Sequence, residues 1–180
     1  MDDMVTLLEP LIPPLRRYAR ALMRDRAAAD DLVQDCLELA ISRWHQRREG
    51  SDARSWTFAI LHNLAISRMR QSKRRGVHVP LDDLQQEVVA QAPDQDQGLR
   101  QHDVMKALDA LPEEQKNVLL LVSVEDLSYA EAARVLDIPI GTVMSRLARA
   151  RERLRHIMEP GAQGGGEAGQ VLPFRQRRVK

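Results

Sequence analysis

Five side chains near the C-terminal end carry the clearest chemistry in this chain. Thr142, Ser145, Arg146, Arg149 and Arg153 lie within IPIGTVMSRLARARERLRHI (residues 138–157), where a helical period gathers them on one side. Guanidinium groups suit guanine edges and phosphates, and hydroxyls near a helix start reach phosphate oxygens or bases. That chemistry is nucleic-acid recognition; a solvated cationic face is the alternative for the same residues. The other side repeats Val143, Leu147, Ala150, Leu154 and Ile157, a stripe that must bury against a neighbour.

The neighbour lies just upstream. Ser128-Tyr129-Ala130-Glu131 has capping-box spacing, in which the Ser and Glu side chains each satisfy an orphan backbone amide. The spacing predicts a helix from Ser128 through AEAARVL that stops before Asp137-Ile138-Pro139, because proline disfavours helix at the residue before it. Helix, short turn and helix make a helix-turn-helix, whose second helix enters the major groove while the first braces it. Farther upstream, Leu111-Pro112-Glu113-Glu114 is a helix start, and Glu113 and Glu114 require no other role.

A second segment, Asp30 to Ala40, separates Asp31, Gln34, Asp35 and Glu38 from an apolar stripe of Leu32, Val33, Cys36, Leu37 and Ala40. Its acids either favour the helix dipole or dock a basic partner. Cys36, inside the stripe, reads as a small buried hydrophobe. After Trp44 the polar HQRREGSDARSW leads into a helix from about Ser55, with Phe58, Leu61, Leu64, Ala65 and Met69 inside. Asn63, Arg70 and the terminal Lys73, Arg74 and Arg75 fall elsewhere on it. Asn and Arg beside a polar loop suit holding extruded bases of a single strand. Trp56 reads as a core anchor rather than a stacking platform.

These elements must be positioned by a chain of 180 residues that is 43% hydrophobic, 29% charged and only 3% aromatic, a balance favouring Leu- and Ala-rich helices. Net charge is +1, so nucleic-acid affinity has to come from local clustering. Breakers and composition divide the chain. Residues 1–75 form one helical domain, closed by Arg68, Arg70, Lys73, Arg74 and Arg75; residues 76–100 are an acidic, glutamine-rich flexible linker. Residues 101–159 form a second helical domain, and 160–180 a disordered tail whose Arg175, Arg177, Arg178 and Lys180 read as solvated. The expected fold is all-α, two small helical domains joined by a flexible linker.

Several function classes are excluded. The single Cys36 precludes an internal disulfide, and neither a signal segment nor a membrane span is visible, so a cytoplasmic location is expected. His45, His62, His78, His102 and His156 are dispersed without metal-ligand spacing, and each reads as a lone surface histidine. No P-loop, dinucleotide fingerprint or nucleophile elbow occurs. No catalytic residue, metal or cofactor is expected, and the chain does not read as an enzyme.

Three segments in order, ADDLVQDCLELAISRW, SWTFAILHNLAISRMRQSKRR and ALDALPEEQKNVLLLVSVEDLSYAEAARVLDIPIGTVMSRLARARERLR, resemble bacterial RNA polymerase sigma factors of the extracytoplasmic-function (ECF) group of the sigma-70 family. The resemblance covers about residues 10–157. It implies that 1–75 is sigma region 2, which binds core polymerase and recognises and melts the minus-10 element, and that 101–159 is sigma region 4, which reads the minus-35 element. Asp31, Gln34 and Asp35 match positions that dock on the clamp helices of the largest polymerase subunit; region 4 would meet the flap of the second-largest. Arg48, Ser51 and Arg54 in the loop, with Asn63, Arg70, Lys73 and Arg74 on the following helix, match the minus-10 contacts. Thr142, Ser145, Arg146, Arg149 and Arg153 match the minus-35 contacts. Asp82 and Asp83 of the linker would mimic nucleic-acid charge near the polymerase active site.

The chain departs from the family at His62, where relatives carry Arg, at Ser67, often acidic, and at Met144 and Ala148, where relatives often place base-contacting side chains. The resemblance further implies promoter DNA and an anti-sigma factor as partners, with no membrane insertion. A helix-turn-helix operator-binding regulator is the alternative; the acidic and Asn-bearing helices argue against it, and a helical adaptor leaves the arginine face unexplained.

Overall fold

The computed structural model describes residues 2–23, 25–47, 52–74 and 104–158, and every regular element among them is helical. The all-α expectation holds. The linker 76–100 and the tail 160–180 lie outside the described residues.

The first half contains α1 (Asp2–Leu8), α2 (Ile12–Met23), α3 (Arg26–Ser42) and α4 (Ala53–Arg74), with short 3₁₀ turns at Glu9–Leu11 and Trp44–Gln46. In α2, Leu15, Tyr18, Ala19 and Leu22 recur at helical spacing and are buried. Helix α3 is capped by Asp25, whose carboxylate accepts from the Ala28 amide at 2.7 Å. Its expected stripe is inside: Leu32, Val33, Cys36 and Ala40 are buried. Cys36 Sγ lies 3.6 Å from the Thr57 carbonyl, and burial pushes its thiol up to about 12.

Helix α4 starts at Ala53, ahead of the expected Ser55, because Asp52 caps it by accepting from the amides of Arg54 (3.2 Å) and Ser55 (2.8 Å). Phe58, Leu61 and Ala65 bury against α2 and α3. His62 corrects an expectation. It is not a surface histidine but is buried, with Nδ1 3.0 Å from the Tyr18 hydroxyl, and burial pushes it down to about 4. The reason is its register, because 58, 61, 62 and 65 are one helical face.

The second half contains a helical stretch over residues 104–109 (α5), then α6 (Glu113–Leu119), a wider π turn (Leu120–Val124), α7 (Tyr129–Leu136) and α8 (Ile140–Met158). The buried ammonium of Lys116 donates to Asp109 at 2.7 Å. The capping box of α7 is formed: Ser128 Oγ accepts from the Glu131 amide at 3.2 Å, and Glu131 accepts from the Ser128 amide at 2.7 Å. The helix stops on a left-handed cap at Asp137 (φ 52°), with Ile138 N–H donating to the Ala133 carbonyl, so the stop does not rest on Pro139 alone.

Helix α8 lies across α6 and α7 on Val143, Leu147 and Ala150, with Leu154 half-buried. Ile157 corrects the last position of the expected stripe. It is 37% exposed, because α8, about 28 Å long at 1.5 Å per residue, outruns α7, about 12 Å long. The halves touch directly: α4 packs on α7, α2 meets the π turn, and their buried apolar residues form one continuous cluster.

Candidate nucleic-acid interface

The face of α8 away from its buried stripe presents Ser145, Arg149 and Arg153 to solvent, with Thr142 half-buried. Ser145 Oγ donates to the Thr142 carbonyl at 3.1 Å. Arg149 and Arg153 have no ion-pair partner among the described residues, and with Gln115, Glu152 and His156 they line a shallow groove of about 340 Å³. Arg146 differs from its neighbours. Its Nη2 lies 2.6 Å from Glu114 Oε2, so this helix-start acid does have a partner and fixes one arginine of the set. Ile140 and Met144 are about half exposed near the start of α8. A Cβ at Gly141 would meet nothing within 4 Å, so packing does not demand glycine there. The first turn of α8 is open to a ligand.

In the first half, Asp31 and Gln34 are exposed on α3, and Gln34 Nε2 donates to Glu38 at 3.0 Å. Asp35, also exposed, is ion-paired with Arg68 of α4, whose guanidinium also donates to the Ala28 carbonyl at 3.3 Å. Asp35 therefore joins α3 to α4, whereas Asp31 faces water. Helical rotation of 100° per residue puts Asn63, Arg70 and Arg74 within about 20° of one line along α4, and all three are exposed. Lys73, also exposed, lies off that line, 4.0 Å from Glu113 of α6.

Arg48 and Ser51 lie outside the described residues. Arg54, expected in the same loop, instead lies in the first turn of α4 because the helix starts at Ala53; it is half-buried and donates through Nη2 to the backbone carbonyl of Glu125. A crevice of about 420 Å³ opens beside it, lined by Leu7, Pro10, Arg47 and Asp52 among others. Burial raises the Asp52 carboxyl, but the amides of Ser55 and Arg54 outweigh it and hold the group below its ordinary range. Trp56 is half-buried against the core and meets Trp44 edge-on at 6.0 Å, while the Arg47 guanidinium sits 4.6 Å over the Trp44 ring. The anchor expectation for Trp56 agrees with this packing.

Three residues escaped the sequence reading. Asp52 had a signal, a capping residue before a helical run. Arg17 and Glu125, 108 positions apart, had none: Arg17 Nε and Nη2 donate to the two carboxylate oxygens of Glu125 at 2.8 and 2.6 Å. That hydrogen bond raises the Arg17 pKa further above its ordinary value.

The helical hairpin with an exposed arginine face, beside an acidic helix and an Asn- and Arg-lined one, defines a DNA-binding protein of the helix-turn-helix class. Comparison with known proteins narrows the class. The family model described as the sigma2 domain of PhyR matches residues 8–62, and that of sigma-70, region 4 matches residues 101–154. The ECF RNA polymerase sigma factor EcfG of Rhodopseudomonas palustris is 35% identical over 147 residues, covering 82% of this chain and 80% of that one. SigM of Mycobacterium tuberculosis is 33% identical over 144 residues, covering 80% and 71%. The sigma factor RpoE of Bartonella quintana, solved in complex with the anti-sigma factor NepR, matches with a TM-score of 0.76 at 33% identity, over 89% of this chain and 99% of that one. This chain belongs to the ECF sigma factors, the subunits that bind core RNA polymerase and direct it to promoters. No described helix is long and apolar enough to cross a membrane.

Proposed function

We propose that residues 1–75 act as sigma region 2 and residues 101–159 as region 4, with 76–100 as the connection between them and 160–180 as a tail. In region 2, Asp31 and Gln34 dock on the clamp helices of the polymerase, and Asp35, through Arg68, fixes that helix against α4. Asn63, Arg70 and Arg74 follow the minus-10 strand along α4, with Arg48, Ser51, Arg54 and Lys73 at its edges. In region 4, which seats on the flap, Ser145, Arg149 and Arg153 meet the minus-35 element, with Thr142 at the helix start and Arg146 set in position by Glu114. The protein performs no bond chemistry and works in the cytoplasm. An anti-sigma factor restrains it, as the complex of the Bartonella relative with NepR suggests.

The observation that carries this reading is the pairing of two exposed faces on the N-terminal half, acid and amide on α3 and Asn-Arg on α4, with an exposed arginine face on α8. A DNA-binding regulator needs only the last. Core polymerase reconstituted with this protein should start promoter-specific transcripts that core alone does not. Asp31→Ala combined with Gln34→Ala should abolish core binding; if binding survives, the docking face lies elsewhere. The match of residues 8–62 to the PhyR model favours one second reading, a sigma-like module that binds an anti-sigma factor without polymerase. The absence of promoter-specific transcripts in that reconstitution, with an anti-sigma factor still bound, would establish it.

A further inference from the structure

A carboxylate is buried where the two halves meet. Glu125 sits in the turn between the π turn and α7, and its side chain is only 1% exposed. Its described hydrogen bonds to the first half come from Arg17 of α2, on both carboxylate oxygens, and from Arg54 of α4, on the backbone carbonyl. A charge taken out of water persists only where partners replace its hydration. For Glu125 the cation that does so belongs to the other half of the molecule. Lys73, 4.0 Å from Glu113, adds a weaker strut across the same boundary.

This arrangement is incompatible with one step of the proposed function. Minus-10 and minus-35 elements are about 25 base pairs apart by their names, on the order of 85 Å at ~3.4 Å per base pair. Helices α4 and α7 are in direct contact. The halves therefore have to part before both elements of one promoter are held. The Arg17 side chain is 55% exposed, so water can replace its contact and the closure is reversible. Asp31, Gln34, Arg149 and Arg153 stay exposed while the halves are together, so polymerase or a single element can load first.

We propose that Glu125, clasped by Arg17 and Arg54, is an intramolecular latch that holds the helix-turn-helix half on the N-terminal half and withholds Arg54 from promoter DNA until the halves separate. The release, and the clause about Arg54, rest on the proposed promoter roles of the two halves; the closure through Glu125 does not.

The test uses the full chain spin-labelled at Ser42→Cys and Met158→Cys, both exposed sites, with the buried Cys36 left in place. Pulsed electron paramagnetic resonance should give a dominant short distance. Arg17→Gln and Glu125→Gln should each lower the ratio of closed to open molecules on the order of tenfold, and the double variant no further, because both remove one contact. Arg17→Gln leaves the helix-turn-helix half untouched, so it reports even if Glu125→Gln unfolds that half. Adding core polymerase and a promoter with both elements should shift the unsubstituted, labelled chain to the long distance. An unchanged distribution in Arg17→Gln, or a short distance that persists on the promoter, overturns the latch. If distances lengthen as expected but Arg54→Ala still opens promoters normally, the latch holds and the minus-10 role of Arg54 falls.

Discussion

Helices α4 and α8 are both long and basic, at 22 and 19 residues, yet they hold their cations differently. Helix α4 packs on α2, α3 and α7, and even Ser55, Thr57 and His62 are buried along it. Helix α8 rests on α6 and α7 through Val143, Leu147 and Ala150. On α8 most of the circumference remains for a ligand, and its arginines are exposed except where Glu114 holds Arg146, while Arg151, though exposed, donates to Ser123 Oγ at 3.3 Å. On α4 the cations divide into struts, Arg54, Arg68 and the more exposed Lys73, and a single exposed line of Arg70 and Arg74 with Asn63. Cationic residues on an enclosed helix have to be sorted by their partners before any is assigned to DNA. On a helix covered from one side, burial does most of the sorting, and partners set apart Arg146 and Arg151.

The largest test of that contrast is energetic. Leu61 and Leu147 are comparably buried, at 0% and 2% exposed, but Leu61 belongs to a helix packed on α2, α3 and α7, and Leu147 to one packed on α6 and α7. Truncation to Ala should cost about 2–5 kcal/mol at either site, with Leu61→Ala at the upper end because its cavity cannot collapse toward solvent. Urea unfolding decides the point. Equal losses would show that enclosure makes no energetic difference here.

Next in size is a pH effect confined to α4. His62 is held down to about 4 by burial, against an ordinary value of 6.5. Its folded form is neutral and its unfolded form takes up a proton below 6.5. The stability it contributes is thus complete above about pH 6.5 and lost as pH falls toward 4, a span worth on the order of 3 kcal/mol. His62→Gln should flatten the unfolding free energy in that window relative to the unsubstituted protein.

The same contrast explains what could be read without a structure. The S-x-x-E cap, the stripe beneath α8 and its arginine face were legible because local periodicity decides them, and the structure departs only at Ile157. The apolar stripe of α3 was legible for the same reason. His62 was misread because residue type was weighed above register, although it falls on the face of Phe58, Leu61 and Ala65. The partners of Asp35, Arg54 and Arg146, and the Arg17–Glu125 pair, were not legible. They join residues between 32 and 108 positions apart, and no local pattern encodes such a meeting.

On the open helix the prediction concerns reading rather than holding. Arg149→Ala should leave unfolding unchanged, because its side chain is exposed and without an ion-pair partner among the described residues. At the cognate minus-35 element it should weaken binding by about 1–3 kcal/mol if the guanidinium grips a base edge. Fluorescence anisotropy on cognate and scrambled duplexes separates the cases. Equal loss on both would make it a phosphate contact, and the specificity of α8 would then reside elsewhere on its exposed face.

The smallest effect comes from the turn that sets α8 against α7. Asp137 holds φ at 52°, a left-handed conformation in which a Cβ is strained and glycine is not. Asp137→Gly relieves that strain but adds freedom to the unfolded chain, so the net gain should be only about 0.5 kcal/mol. Promoter affinity should stay level, since the substitution touches neither the buried stripe nor the arginine face. Thermal unfolding of the variant checks the sign. A loss instead of a gain would mean that the Asp137 carboxylate, and not only its backbone, helps to hold the angle between the two helices.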